Sequence, residues 1–205
     1  MNKERSQKLT PKNPRGRRKP LLVVISAPSG GGKTTICKKL IERHPDEMKI
    51  SVSATTRRPR PGEVNGVDYF FISEPEFFER VRRGEFLEYE RVHGNYYGTL
   101  RSTVEKLLAE GYTVLFDVDV NGALAIKKRF PEAVLIFIKP PSIEALKERL
   151  RARQTDDPEE IEKRLRRLPE EYAKSKEFDY IVVNNKLEDT LRQIESIIAR
   201  HAEER

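Results

Sequence analysis

The chain of 205 residues is 37% hydrophobic and 36% charged, has one cysteine and carries a formal net charge of +7; at roughly 150 residues per domain this is one compact domain or a core with small appendages. Its longest apolar runs, Leu21 to Ile25 and Ala133 to Ile138, fall far short of the roughly 20 residues of a membrane-spanning helix, so no membrane partner is expected. Cys37 alone excludes an internal disulfide framework or a zinc site built mainly on thiolates, and no apolar stretch in residues 1 to 19 suits an export signal, so a reducing, cytoplasmic setting is expected.

The charge is concentrated at the start of the chain. Lys3, Arg5, Lys8, Lys12, Arg15, Arg17, Arg18 and Lys19 face Glu4 alone. Taking those eight from 40 basic residues and that one from 33 acidic residues leaves 32 of each, so the body is formally neutral. A neutral body argues against a nucleic-acid footprint on the folded part. Residues 1 to 19 read as a disordered basic tail, for which the sequence names no partner.

From Pro20 onward, short apolar runs alternate with helical stretches, which predicts an α/β fold whose central sheet is parallel. Leu21 to Ser26 reads as the first buried strand. It leads directly into Ala27-Pro28-Ser29-Gly30-Gly31-Gly32-Lys33-Thr34 and a helix from Lys33 to about Arg43. Strand, glycine-rich turn and helix in that order form a phosphate-binding P-loop: glycines let backbone N–H groups surround an anion, and the helix N-terminus adds positive potential. Lys33 would reach the β- and γ-phosphates of a nucleotide, and the Thr34 hydroxyl would ligate Mg²⁺. The first glycine of the usual motif is Ala27 here; a methyl group fits there if the local φ is negative.

The segment from about 50 to 98 differs in character. Ser51 to Ala54, Asp68 to Ile72 and Phe86 to Val92 read as short strands around a helix that opens at the capping box Ser73-Glu74-Pro75-Glu76, carries Phe77, Phe78 and Val81 on one face, and ends at Gly84. A helix from Ser102 to Glu110 leads to a second core strand, Tyr112 to Val118. Asp117 stands at its end, where a P-loop needs a carboxylate for the metal's water shell; Asp119 is placed on the same face, and either could instead be a turn residue or a helix cap. A helix from Gly122 to Arg129, a strand from Ala133 to Lys139 and a helix from Ile143 to Arg153 follow. Residues 149 to about 171 are dense in Arg, Glu and Asp and read as a solvated helical lid. A strand from Asp179 to Asn184 and a helix from Leu187 to Ala202 complete the chain, giving four core strands.

The segment Ser53-Ala54-Thr55-Thr56-Arg57-Arg58-Pro59-Arg60-Pro61-Gly62-Glu63, then Gly66-Val67-Asp68-Tyr69, Glu88 and Gly94-Asn95-Tyr96-Tyr97-Gly98-Thr99 together closely resemble the guanylate kinase family, over residues 21 to 202. The resemblance implies a three-layer P-loop fold with a core at 20–49, 99–148 and 172–205, a nucleoside-monophosphate-binding insertion at about 50–98 and a lid at about 149–171. It also implies transfer of the γ-phosphoryl group of ATP to GMP, and to dGMP, with Mg²⁺ held by Thr34 and, through water, Asp117. ATP would rest on residues 27 to 35, that is Ala27, Pro28, Ser29, Gly30, Gly31, Gly32, Lys33, Thr34 and Thr35, with Arg153 and Asn184 flanking the adenine. Arg57, Arg60, Tyr69 and Tyr97 would hold the GMP phosphate, and Ser53, Glu88, Thr99 and Asp119 would surround the guanine. Arg149, Arg153 and Arg164 would join Lys33 and Arg57 over the transferring group; where the family often has glycine after the arginine matching Arg153, this chain has Gln154.

The chemistry of the residues agrees with that implication. Guanine offers two adjacent donors, N1–H and the 2-amino group, which a carboxylate such as Glu88 matches, whereas adenine would present it with a bare acceptor. Tyr96 is expected to lean into the core. His44, His93 and His201 are scattered, so no general base is apparent. A catalytically inactive scaffold module would be expected to lose Lys33, Thr34 or Asp117, and a P-loop kinase with another acceptor would lose Ser53, Glu88 and Asp119; this chain keeps them all.

Overall fold

The computed structural model describes residues 19–92, 94–152 and 158–203. In chain order the elements are β1 (Leu22–Ser26), α1 (Lys33–Arg43), β2 (Met48–Ile50), β3 (Ser53–Thr55), β4 (Phe70–Phe71), α2 (Glu74–Arg82), β5 (Phe86–Val92), β6 (Asn95–Leu100), α3 (Arg101–Ala109), β7 (Thr113–Asp117), α4 (Val120–Arg129), β8 (Val134–Lys139), α5 (Ile143–Ala152), α6 (Pro158–Arg166), α7 (Leu168–Lys174), β9 (Tyr180–Val183) and α8 (Leu187–Glu203).

Among the described residues these strands form two sheets. The first, in the order β2-β7-β1-β8-β9, is parallel throughout, as strands joined by crossover helices must be. It has five strands rather than the four expected, because Met48–Ile50 pairs with β7 as an edge. The expectation failed there because three residues flanked by charge carry too short a pattern to register as a strand.

Alternation along β1 divides the core. Leu21, Val23 and Ile25 face one side, packed with Ile36, Leu40, Leu191 and Ile194 of α1 and α8. Leu22 and Val24 face the other, with Val104, Ala123 and Ile126 of α3 and α4. Burial on both faces is why these strands read as continuous apolar runs, and helix, sheet and helix give three layers.

The second sheet, in the order β4-β3-β6-β5, is mixed: β3 runs parallel to β4 and antiparallel to β6, which is itself antiparallel to β5. It closes over a small apolar cluster of Ala54, Phe77, Phe86 and Leu100. The Ser73 hydroxyl caps α2 by accepting from the Glu76 N–H, and Pro75 sits at the helix start. Tyr96 packs against Phe77 and Phe78, as expected, with ring centroids 5.6 and 4.8 Å away.

The lid is less solvated than its composition suggested. Leu168 is buried against Leu146 and Leu150 of α5, with Ile161 and Leu165 along the same seam, so α6 and α7 are pinned by an apolar stripe beneath their charged surface. No described helix is long and apolar enough to cross a membrane.

Candidate active site

The end of β1 turns sharply into α1. The Gly31 N–H closes the turn on the Pro28 carbonyl at 2.8 Å, and Gly30 and Gly32 adopt φ of +84° and +100°, conformations that side chains resist. A Cβ at Gly31 would meet the Ala27 methyl at 2.6 Å and the Pro28 carbonyl at 2.9 Å; the methyl that departs from the usual motif is accommodated because position 31 has none. No side chain among the described residues caps α1, which leaves its first-turn N–H groups for an anion. Lys33 lies along the loop with Nζ donating to the Ala27 carbonyl at 2.9 Å. The Thr34 hydroxyl donates to Asp117 at the end of β7 at 2.6 Å, uniting the two oxygen donors expected around a hard cation. Thr35 is exposed one residue on and does not line the cleft.

Across the cleft the second sheet aligns the base-reading candidates. Register places Ser53 opposite Thr99 and Thr99 opposite Glu88, and the Thr99 hydroxyl donates to Glu88 at 2.6 Å. Burial pushes the Glu88 carboxyl up to about 7 against the pull of that hydrogen bond, and the charge of Asp119 adds to the rise. Glu88 can approach α4 this closely because a Cβ at Gly122 would lie 3.0 Å from its Oε2. Asp119 is the N-cap of α4, its Oδ1 accepting from the Gly122 N–H at 2.9 Å. Its Oδ2 is buried without a hydrogen-bond partner among the described residues, so one carboxylate both caps a helix and faces the cleft.

Tyr69 and Tyr97 meet edge to face with centroids 5.9 Å apart, and burial raises the Tyr69 hydroxyl. Both line the cleft, as does Arg60. Arg57 stands behind them: its guanidinium lies over the Tyr69 and Phe71 rings at 5.4 and 5.7 Å and pairs with Glu63 at 2.8 Å, away from the cleft wall.

From the lid, Arg164 donates to the Ser29 hydroxyl of the phosphate loop at 2.9 Å. Arg149 is turned inward, donating to the Asn184 carbonyl at 2.9 Å with its Nη1 buried and without a hydrogen-bond partner among the described residues. Asn184, expected beside adenine, is buried and engaged with the loop itself, donating to the Gly31 carbonyl at 3.2 Å and accepting from Thr190 at 3.2 Å. Arg153 lies outside the described residues.

Arg167 and Glu171, which the sequence reading passed over along with Glu90 of β5, also line the cleft. Burial raises Glu171 to about 7 despite the nearby charges of Lys33 and Arg167, and its Oε2 has no hydrogen-bond partner among the described residues. Their spacing of four residues was the available signal, but it repeats throughout this charge-dense segment. Among the described residues no group of three or more His, Cys, Asp or Glu side chains could cage a metal.

The guanylate kinase family model matches residues 18–201. A guanylate kinase of Clostridium perfringens is 48% identical over 187 residues, covering 91% of this chain and 84% of that protein; one of Gloeobacter violaceus is 51% identical over 177 residues, covering 86% of each. The crystal structure of guanylate kinase from Anaplasma phagocytophilum matches with a TM-score of 0.74 at 32% identity, over 91% of this chain and 88% of that one. A phosphate loop facing a half-buried set of carboxylates, on a chain matched over nearly its whole length, leads to one assignment: the chain belongs to the guanylate kinase family of ATP:GMP phosphotransferases.

Proposed function

We propose that this chain passes the γ-phosphoryl group of ATP to GMP, or to dGMP, with Mg²⁺. The observation that carries this reading is that the loop around Lys33 and the set Ser53, Glu88 and Asp119 open into one cleft. The phosphates of ATP rest on the backbone N–H groups of residues 29, 30 and 32 to 34, and Lys33 leaves the Ala27 carbonyl to meet the β- and γ-oxygens. Thr34 and Asp117, two oxygen donors already in contact, suit an ion that prefers oxygen and retains its water. Bound there, Mg²⁺ supplies neutralisation of the β- and γ-phosphate charge.

Guanine enters beside Glu88, its N1–H and 2-amino group donating to the carboxylate. The acceptor oxygen of GMP is already ionised near neutral pH, so no general base is needed. The barrier is repulsion between polyanions: two unit charges about 4 Å apart cost about 4 kcal/mol at an effective dielectric of 20. Lys33, Arg60 and Arg164 on the cleft wall counter it, and Tyr69 and Tyr97 donate to the GMP phosphate. Arg57 stiffens Tyr69 from behind and reaches the phosphate on release from Glu63. Arg149, by gripping the Asn184 carbonyl, ties the lid helix to the loop, and Arg153 follows from the family resemblance alone.

A coupled ADP-release assay with GMP, dGMP, AMP, CMP and UMP tests the reading. Glu88→Ala is expected to cut the preference for GMP over AMP by about a hundredfold or more with the KM for ATP nearly unchanged. Lys33→Ala is expected to leave GMP binding intact and remove most turnover. Preference for AMP in the unaltered chain would overturn the base assignment, and absence of turnover with every acceptor would favour a scaffold module.

A further inference from the structure

Asp119 has two oxygens in different circumstances. Oδ1 is fixed on the N-terminus of α4. Oδ2 is shielded from water and accepts no hydrogen bond among the described residues, an expensive condition for a charged oxygen. An ion pair reaches it from the lid: Arg167 Nη2 stands 3.8 Å away, close enough for charge compensation and too far for a hydrogen bond. Arg167 immediately precedes α7 and accepts from the Glu171 N–H at 3.0 Å, so its backbone is tied to the helix whose Glu171 side chain lies within the same electrostatic cluster as Lys33 and Arg167. Arg167, Glu171, Asp119 and Glu88 all line the one cleft. The lid therefore reaches the base-reading carboxylates as well as the phosphate loop.

We propose that Arg167 is a positioning residue for guanine recognition: from the lid it supplies the countercharge of Asp119 and keeps Oδ2 turned toward the exocyclic amino group of the base, tying base selection to the placement of the lid. The proposal rests on the reading that Asp119 faces guanine. A donor from the base completes the oxygen that Arg167 leaves unbonded, whereas a base without the 2-amino group leaves it orphaned beside a cation. Removing Arg167 frees Asp119 to turn away and weakens the penalty against such a base.

Steady-state kinetics of the full chain test this with GMP, with inosine monophosphate as the analogue lacking the 2-amino group, and with ATP varied separately. Arg167→Ala is expected to raise the KM for GMP about fivefold, the scale of a partly exposed ion pair, to narrow the GMP to inosine monophosphate ratio of kcat/KM by a similar factor, and to leave the KM for ATP within about twofold. Arg167→Lys is expected to restore most of the ratio. In an Asp119→Asn background, where the helix cap survives, Arg167→Ala is expected to add little, because the two act as one unit. Equal rises in both KM values with an unchanged base ratio, or effects of the two substitutions that simply add, would overturn the proposal. If Asp119→Asn itself leaves the ratio intact, the base-facing reading of Asp119 fails and takes the proposal with it; if Asp119→Asn collapses the ratio and Arg167→Ala does not, the role of Arg167 alone is refuted. Thermal unfolding of each variant separates a loosened lid, which lowers Tm and shifts both KM values, from the selective loss expected here.

Discussion

Glu88 sits in an apolar stretch, Phe86-Leu87-Glu88-Tyr89, with Thr99 donating to it and burial lifting its carboxyl to about 7. A raised carboxyl favours the protonated folded state, so its contribution to stability is fully present below its ordinary value of 4.5 and is lost as pH rises through about 7. Without GMP, Glu88→Gln is therefore expected to unfold at higher temperature than the parent chain at pH 8 and to differ little at pH 4.5, with a gap on the order of 1–3 kcal/mol at the alkaline end. Guanine bound as proposed would reverse the preference, since two donors call for an ionised carboxylate. GMP binding between pH 6 and 7 should release a proton from Glu88, beyond that contributed by the phosphate's own ionisation near 6. Calorimetry in buffers of different ionisation enthalpy reads that release; equal proton release by the parent and Glu88→Gln would refute the assignment. Glu88 was legible in the sequence because a carboxylate inside an apolar strand is costly unless used. Arg167 and Glu171 carried no such contrast, being charges among charges, and only tertiary placement sets them apart.

At the scale of elements, the phosphate loop was legible because strand, glycines and helix follow one another without gaps, and the structure adds why Ala27 is tolerated. A methyl at 27 and a methyl at 31 would occupy the same space. Gly31→Ala is expected to raise the KM for ATP at least tenfold and to cost about 1–3 kcal/mol through overpacking. Adding Ala27→Gly should recover part of the affinity but not all, since the Pro28 carbonyl 2.9 Å away remains. An unchanged KM for ATP in the single variant would show that the loop bends freely and that the two positions are not coupled. The elements that escaped the sequence were those whose partners lie far along the chain. β2 is an edge of three residues held by β7. β6 was noticed as a ligand-binding motif rather than as a strand: its alternation sends Tyr96 to the apolar cluster and Tyr97 to the cleft, and pairing with β3 and β5 makes it central to its sheet. Strand alternation puts Asp119 in line with Asp117, but of its two readings the helix cap is the one the structure shows: β7 ends at Asp117 and Asp119 caps α4, and both still line the cleft.

At the scale of the whole molecule, the cleft wall is contributed by the phosphate loop of one sheet, by the second sheet and by the lid. These parts are linked by contacts of modest strength. Lys38 of α1 pairs with Asp68 ahead of β4 at 2.7 Å, with Lys38 largely exposed, and Arg164 of the lid touches Ser29 at 2.9 Å. Such polar links contribute at most about 1 kcal/mol each, while Leu87 of β5, which joins the apolar cluster of the first sheet, and Leu168, packed on α5, are apolar anchor points about which the second sheet and the lid can turn. The substrates bring stronger forces. On the proposed reading ATP would bind the loop and draw the lid arginines, GMP would bind the second sheet, and excluding water between them would protect the γ-phosphoryl group from hydrolysis. Closure is therefore expected to be cooperative, each substrate supplying part of the attraction that draws the second sheet and lid toward the loop. Solution scattering should show a small decrease in the radius of gyration with GMP alone or with a non-hydrolysable ATP analogue and Mg²⁺ alone, and a decrease larger than their sum with both. If the curves for the free and doubly liganded protein superimpose, the cleft is rigid, and discrimination against water must come from the wall residues without movement.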